Sequence, residues 1–374
     1  MRSWAVFDVS KNWVILAPAS VPAAWNAVDE LAFYIGLLRD RAGLGKNQPP
    51  VEDAETASPL AGVPIILIGV TAAARDRNGF AWRIGQDRIE IQGDSIRGLW
   101  NAVFSFLSTL NIRWPEPEQE ELPPPPTAGV YPLGKNRNYC HSASSVQDRR
   151  RLIVDERLAA KERALLIRWA ARNQYDALIF SLAAKGLWNK ARSGRGIRLE
   201  TERYALILEA GGRDLSYLLP RRLFFFHQNM FRMDYGRRVK EHHFCATNPK
   251  TIRLIKITAE KLFVRAMAGM NAQPFFRSRT GSKVVQPPAV VPVFHLWPDR
   301  DHERTWCACP ACRAFSPEEQ NRIAINSVAD VLAGLDPQAR LSYFEAPAEI
   351  SGNPADVPAV SIAPRANTFS LSLC

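Results

Sequence analysis

The sequence predicts an α/β protein in two parts: an N-terminal α/β sandwich, then a (β/α)8-type barrel with fewer strands than closure requires. Three observations predict it. Short apolar runs bounded by turn residues alternate with amphipathic stretches at helical spacing along most of the chain. The segment Pro115 to Pro132, PEPEQEELPPPPTAGVYP, interrupts that rhythm with four consecutive prolines, which fit neither a helix nor a central strand and read as a stiff linker. At 374 residues the chain exceeds the size at which a single core stops growing comfortably. The expected division is therefore residues 1–114, a linker at 115–132, and a barrel over 133–374.

In the first part, Trp13 to Ala17 reads as a strand. Pro22 opens a helix to about Arg41, with Trp25, Val28, Leu31, Ala32, Ile35 and Leu38 on one face and Gly43 and Gly45 ending it. Val63 to Val70, VPIILIGV, is apolar throughout and reads as a central strand. Ala81 to Ile84 and Arg88 to Gln92 flank the turn Gly85-Gln86-Asp87 as a hairpin. Asp94 or Ser95 caps a helix whose face carries Ile96, Leu99, Trp100, Val103, Phe104, Phe106 and Leu107. Gly93 and Gly98 at its start are too few for a phosphate loop.

Beyond the linker, Asn138 to Ser142 is expected as the first barrel strand and Asp148 to Arg172 as a long helix. Ala177 to Leu182 gives a second strand. Ala205 to Leu208 gives a third, running into a turn at Glu209 to Asp214 whose paired glycines permit a sharp reversal. Thr247 or Asn248, followed by Pro249, starts a helix to about Met267. The fourth strand, Val291 to Leu296, precedes a capping box, Ser316-Pro-Glu-Glu319, and a helix carrying Ile323, Val328, Val331 and Leu332. Leu341 to Phe344 supplies a fifth strand and Thr368 to Leu373 a sixth. A closed barrel has eight strands, and TFSLSLC stops within a strand pattern, so the barrel is expected to be truncated, with open edges and weak or no activity.

Composition narrows the function classes. With 47% hydrophobic and 23% charged residues the chain is of ordinary globular make-up. No window approaches the length of a membrane span, and the start lacks a signal-peptide core, so a cytoplasmic protein with no membrane partner is expected. The net charge of +11 is spread over pairs and triplets such as Arg149–Arg151, Arg221–Arg222 and Arg237–Arg238, without a nucleic-acid fold signature, so no nucleic-acid partner is expected. Of six cysteines, three fall within Cys307–Cys312, a spacing that suits metal chemistry better than disulfide stapling.

Chemistry is expected around VPVFHLWPDRDHERTWCACPAC, Val291 to Cys312, because strand and helix proteins collect reactive side chains where strands end. Asp299 and Asp301 follow the fourth strand and Glu345 the fifth, and these are the candidate catalytic carboxylates. Arg300 and Arg304 are equally available to pair with Asp299. Arg213 and Asp214, after the double glycine, are candidate substrate-binding residues, the guanidinium being shaped for two-point contact with a carboxylate. His295 and Trp297 are further candidate substrate contacts, the tryptophan as a stacking platform. Cys307, Cys309 and Cys312 offer three soft ligands for a structural zinc, with His302, His295 or Cys245 as the fourth.

The run Asp94-Ser-Ile-Arg-Gly-Leu-Trp-Asn-Ala-Val-Phe-Ser-Phe-Leu107, with Ile112-Arg-Trp-Pro115, resembles the non-catalytic N-terminal domain shared by bacterial α-glucuronidases and β-hexosaminidases. The second half, with GGRDLS from Gly211, Cys245-Ala-Thr-Asn-Pro249, HLWPD, CACPAC and EEQNRIAINSVADVLA, is similar to a bacterial glycoside-hydrolase-like barrel family, some members of which are linked to endo-β-N-acetylglucosaminidase activity. The resemblance implies hydrolysis of a hexosamine- or uronic-acid-containing glycan by carboxylate chemistry that needs no cofactor, with Asp299 where the related enzymes carry their general acid. Those hexosaminidases use adjacent acids, whereas Arg300 separates Asp299 from Asp301 here. The alternative is a non-catalytic carbohydrate-binding protein.

Overall fold

Apolar runs that alternate inward and outward pair into sheets, and here they form two large ones. The computed structural model describes residues 6–57, 62–71, 78–126, 129–133, 138–141, 147–155, 157–188, 192–212, 215–270, 291–298, 306–344 and 365–371. The chain begins with β1 (Val6–Asp8), β2 (Val14–Ala17), α1 (Trp25–Arg41), β3 (Val51–Asp53), β4 (Ile65–Val70), β5 (Phe80–Ile84), β6 (Arg88–Gly93) and α2 (Ile96–Thr109). β7 (Val130–Pro132) pairs with β1, and β8 (Asn138–His141) runs antiparallel to β5. The first six-stranded sheet has the order β3-β2-β4-β6-β5-β8.

The second sheet is built from β9 (Arg151–Ile153), α3 (Ala160–Arg172), β10 (Ala177–Phe180), α4 (Lys185–Trp188), α5 (Arg192–Arg203) and β11 (Ile207–Gly212). After the small hairpin β12 (Met233–Asp234) and β13 (Arg237–Arg238) come α6 (Pro249–Met270), β14 (Val293–Leu296), α7 (Pro317–Leu335), β15 (Arg340–Phe344) and β16 (Thr368–Leu371). Its order is β9-β10-β11-β14-β15-β16, every pair parallel. Each strand lies beside its predecessor and the order never reverses, which is the progression of a β/α barrel and not of a doubly wound sheet. Six such strands are present among the described residues.

Three expectations change. The strand at 138–141 closes the edge of the first sheet; the first parallel strand is Arg151–Ile153, inside the stretch expected as the start of a helix that in fact begins at Ala160. Pairing with β10 overrides the helical spacing there. The third parallel strand does not stop at Leu208. It runs to Gly212, so Glu209 lies in a strand and not in a turn. Gly211 has φ 124°, and a Cβ on it would fall 1.9 Å from the His295 carbonyl oxygen, so Gly211 lets β11 press against β14, whereas Gly212 faces open space and is set apart only by its φ of 119°.

The caps are as their chemistry requires. Ser95 Oγ accepts from the Gly98 amide, Asn248 Oδ1 accepts from the Lys250 amide, and Ser316 and Glu319 form the reciprocal box with Pro317 at the first helical position. Gly93 and Gly98 are packing residues: Cβ atoms there would come within 2.1 Å of the Leu99 amide and 2.3 Å of the Gly79 carbonyl oxygen.

One apolar core runs through both sheets, from Phe7 to Tyr343, and α2 is its centre. Arg97 of that helix, 1% exposed, donates to the carbonyls of Tyr204 and Ala171 at 3.0 Å and to Asn101 Oδ1 at 2.6 Å. Trp100 donates to the Arg203 carbonyl and packs on the Tyr204 ring at 4.9 Å. Burial pulls the Arg97 pKa down to about 10, which still leaves it charged at neutral pH. Helix α2 thus buries the face that the sequence aims at its own sheet and a second face against α3 and α5.

Gly211→Ala is expected to lower unfolding stability by about 3 kcal/mol or more, from overpacking added to a strained φ. Gly196→Ala, on the open side of α5, is expected to raise it by about 0.5–1 kcal/mol. Urea melts of the two variants check this pair.

Candidate functional site

The two faces of the parallel sheet differ. Leu178, Phe180, Ala210, Phe294, Leu341 and Tyr343 join the apolar core beneath the helices, with the Phe294 ring 4.4 Å from Phe263 of α6. Side chains alternate along a strand, so Arg151, Glu209, His295 and Ser342 occupy the opposite face. There the Glu209 side chain, 0% exposed, is paired with Arg149 at 3.2 Å, Arg151 at 2.7 Å and His295 Nε2 at 2.8 Å.

A single tautomer satisfies the rest. His295 Nε2–H donates to Glu209, Nδ1 accepts from the Ser342 hydroxyl, and Ser342 Oγ accepts from Trp297 Nε1–H at 3.1 Å. Burial alone would raise the Glu209 pKa, but the hydrogen bond from His295 and the charges of Arg151 and Arg149 outweigh it and hold the carboxyl at about 2. Burial holds His295 below its usual value, against the pull of Glu209, so the ring is neutral at pH 7.

Serine, histidine and glutamate in hydrogen-bonding sequence have the donor order of an acyl-transfer triad. Ser342, His295 and Glu209 are nevertheless all 0% exposed, and the serine oxygen already accepts from Trp297. A sealed hydroxyl cannot meet a substrate, so the network holds other groups in place. What it holds is the end of β14: Trp297, 3% exposed, is fixed by Ser342 and by its own amide donating to the Gly212 carbonyl at 2.8 Å.

Asp299, Asp301 and Glu345 lie outside the described residues, as do Arg213, Asp214 and His302. In sequence, Arg213 and Asp214 follow the end of β11, Asp299 and Asp301 that of β14, and Glu345 that of β15, and these three strands are neighbours. His295 and Trp297 are buried in the network just described. Neither offers an open face for a sugar, and the engaged nitrogens of His295 take it out of the zinc-ligand alternatives.

Cys307, Cys309 and Cys312 meet a fourth thiol, Cys245, with all four sulfurs within 4.8 Å of one another and all four residues buried. Cys245 Sγ lies 3.7 Å from Cys309 Sγ and 3.6 Å from Cys312 Sγ. This buried four-cysteine cluster could hold a metal. Beside it His243 stacks on Trp306 at 4.2 Å, and burial lowers its pKa to about 3, so it serves as a neutral flat ring.

Sequence reasoning missed Glu209, Ser342 and the inward turn of Arg149 and Arg151, which had counted only toward net charge. The available signal was Glu209 itself, an acid between apolar residues and a double glycine.

No protein-family model matches the sequence, and no curated protein matches it. Among solved structures, the fold is similar to the GH20 β-N-acetylhexosaminidase of Streptomyces coelicolor A3(2), with TM-score 0.50 and 10% identity, covering 98% of this chain and 66% of that one. It is similar too to Streptomyces plicatus N-acetyl-β-hexosaminidase, solved with Thio-NAglucal, with TM-score 0.50 and 13% identity over 91% of this chain and 63% of that one. The chain therefore spans less than two thirds of either protein, and at these identities the likeness is one of fold: a mixed α/β, glycoside-hydrolase-like architecture. No helix among the described residues is long and apolar enough to cross a membrane.

Glu209→Gln leaves two guanidinium groups without their anion and should cost about 3–5 kcal/mol of stability, read by urea unfolding. The protonation linkage has a definite sign. The His295 pKa is lowered in the fold, so the unfolded chain takes up the extra proton, and stability is lost as pH falls below about 6.5. Glu209, also lowered, adds a further loss as pH falls from 4.5 towards 2. Melting temperatures between pH 7 and 5 should decline less steeply in His295→Gln than in the parent.

Proposed function

We propose that this protein is a glycoside hydrolase acting on hexosamine-containing glycans, with Asp299 as the acid that protonates the leaving oxygen. The observation that carries the reading is the end of β14, the fourth strand of the parallel sheet. Trp297 there is held by Ser342 and Gly212, so the chain entering residue 299 starts from a rigid point. The likeness in fold to β-N-acetylhexosaminidases supports the same class of substrate.

In the reaction, the proton passes from the Asp299 carboxyl to the glycosidic oxygen as the bond from that oxygen to the anomeric carbon breaks. A carboxylate, Glu345 or Asp301, or the substrate's own acetamido oxygen meets the anomeric carbon, and water then supplies its hydroxyl. Arg213 and Asp214 bind sugar hydroxyls. Tyr217, Phe225 and Phe226, on the segment following β11 and 41%, 74% and 83% exposed, are among the stacking surfaces that the described residues offer. His295 and Trp297 act from below, as positioning residues that hold the end of β14.

Asp299→Asn is expected to lower turnover of an aryl N-acetyl-β-hexosaminide by about 10²–10⁴-fold with an unchanged melting curve. Turnover equal to the parent removes Asp299 from the mechanism. A panel including aryl glucuronides sets the sugar class, and glycan binding by the parent without release of any aglycone favours the non-catalytic carbohydrate-binding reading.

A further inference from the structure

We propose that Cys245, Cys307, Cys309 and Cys312 bind one zinc ion as four thiolates, a structural site that ties the segment after β11 to the segment after β14. The distances are those of a mononuclear tetrahedron. With Zn–S near 2.3 Å, sulfurs at the corners of a regular tetrahedron stand about 3.8 Å apart. The pairs Cys245–Cys309 and Cys245–Cys312 stand at 3.7 and 3.6 Å, and no pair of the four exceeds 4.8 Å. A disulfide would need about 2.05 Å. A four-iron cluster puts each cysteine on a separate iron and so spreads the sulfurs wider than this.

The surroundings suit a charged tetrathiolate. Four thiols that release four protons to solvent and bind one Zn²⁺ as thiolates leave a net charge of −2, which a buried site must offset. The Met233 amide donates to Cys307 Sγ at 3.3 Å, and Arg238 Nη1 lies 3.6 Å from the same sulfur, bringing a full positive charge. Thr247 Oγ1 lies 3.1 Å from Cys312 Sγ. Such N–H and O–H donors to the ligand atoms are the outer shell that metal thiolates use. The four cysteines form a packed cluster apart from the main apolar core.

The ligand loops are shaped without recourse to the metal. The Cys312 and Arg313 amides both donate to the Cys309 carbonyl, folding Cys309-Pro-Ala-Cys312 into a tight turn that brings two thiols to one side. Gln320 of α7 accepts from the Cys307 amide and donates to the carbonyls of Cys307, Cys312 and Phe315. The Ala308 amide donates to the Met233 carbonyl, and the Cys245 amide to that of Met230, so both segments arrive preorganised. The second ligand segment is the one that the sequence leaves open among Cys245, His295 and His302, because Cys245 stands alone 62 residues before Cys307. With the ion in place, residues 298–306 are spanned between Trp297, fixed on Ser342, and Cys307, fixed on the metal.

The test uses the full-length chain purified under reducing conditions. Elemental analysis should find one zinc per chain, and the Cys140→Ser variant, which alters an exposed cysteine outside the cluster, should keep it. Metal-stripped protein should take up one Co²⁺, with the visible bands and sulfur-to-metal charge transfer of a tetrahedral tetrathiolate. Cys245→Ser should change that spectrum to a three-sulfur pattern. The proposal is overturned if the reduced parent, unfractionated for metal, contains none and takes up neither Zn²⁺ nor Co²⁺ while its four cluster thiols react freely in the native state. Stoichiometric iron with its visible colour overturns the choice of zinc, and an unaltered cobalt spectrum in Cys245→Ser overturns the fourth ligand.

Discussion

A carboxylate with no access to water can stay charged only if the chain brings cations to it, and Glu209 imposes that demand on the parallel sheet. Its partners come from three places: Arg149 and Arg151 at β9, His295 on β14, and through His295 the hydroxyl of Ser342 on β15. A register slip of one residue in any of these strands would turn its contribution to the other face and leave the carboxylate unmatched, which costs several kcal/mol. Apolar residues in place of such a buried ion group are often neutral or stabilising, so the group is weak evidence of added stability even though breaking it is costly.

The same network reaches outward to the candidate site. Trp297 is the link, because its indole N–H heads the chain of donors that ends on the Glu209 carboxylate and its backbone amide joins Gly212. Rigidity therefore passes from the buried face to Trp297, two residues before Asp299 in the sequence. The cysteine cluster picks up the chain again at Cys307, eight residues after Asp299 in the sequence, and Gln320 clasps it to α7. Anchoring the chain on both sides of a chemical group limits the ordering that binding must impose.

The first sheet is not an appendage. Arg97 satisfies one C-terminal carbonyl of α3, that of Ala171, and the carbonyl of Tyr204 just past α5, groups that helix ends leave without partners. Glu30 of α1 reaches Arg172 at 2.9 Å, and Asn78 reaches Asp176 at 2.9 Å immediately before β10. Elements of the parallel sheet thus find part of their hydrogen bonding in the preceding 110 residues, and the single apolar core follows from that.

Local chemistry determined much of this protein. Apolar runs between turn residues located β2, β4, the β5–β6 hairpin, β10, β14, β15 and β16, and caps such as Ser316 with Glu319 placed helix starts, because these signals act over a few residues. The alternation of strand and helix was enough for the α/β class and the parallel sheet, and the Cys307–Cys312 spacing for three of the four clustered thiols. Tertiary structure alone decided the rest. Whether Asn138–His141 joins one sheet or the other, and whether Arg151–Ile153 is strand or helix, depends on which partner edge is free, and an edge has no local signature. The inward turn of Arg149 and Arg151 depends on an acid some 60 residues away, and the fourth thiol on a segment equally distant, because long-range pairing of charge and of ligands is set by the fold and leaves no mark in spacing along the chain.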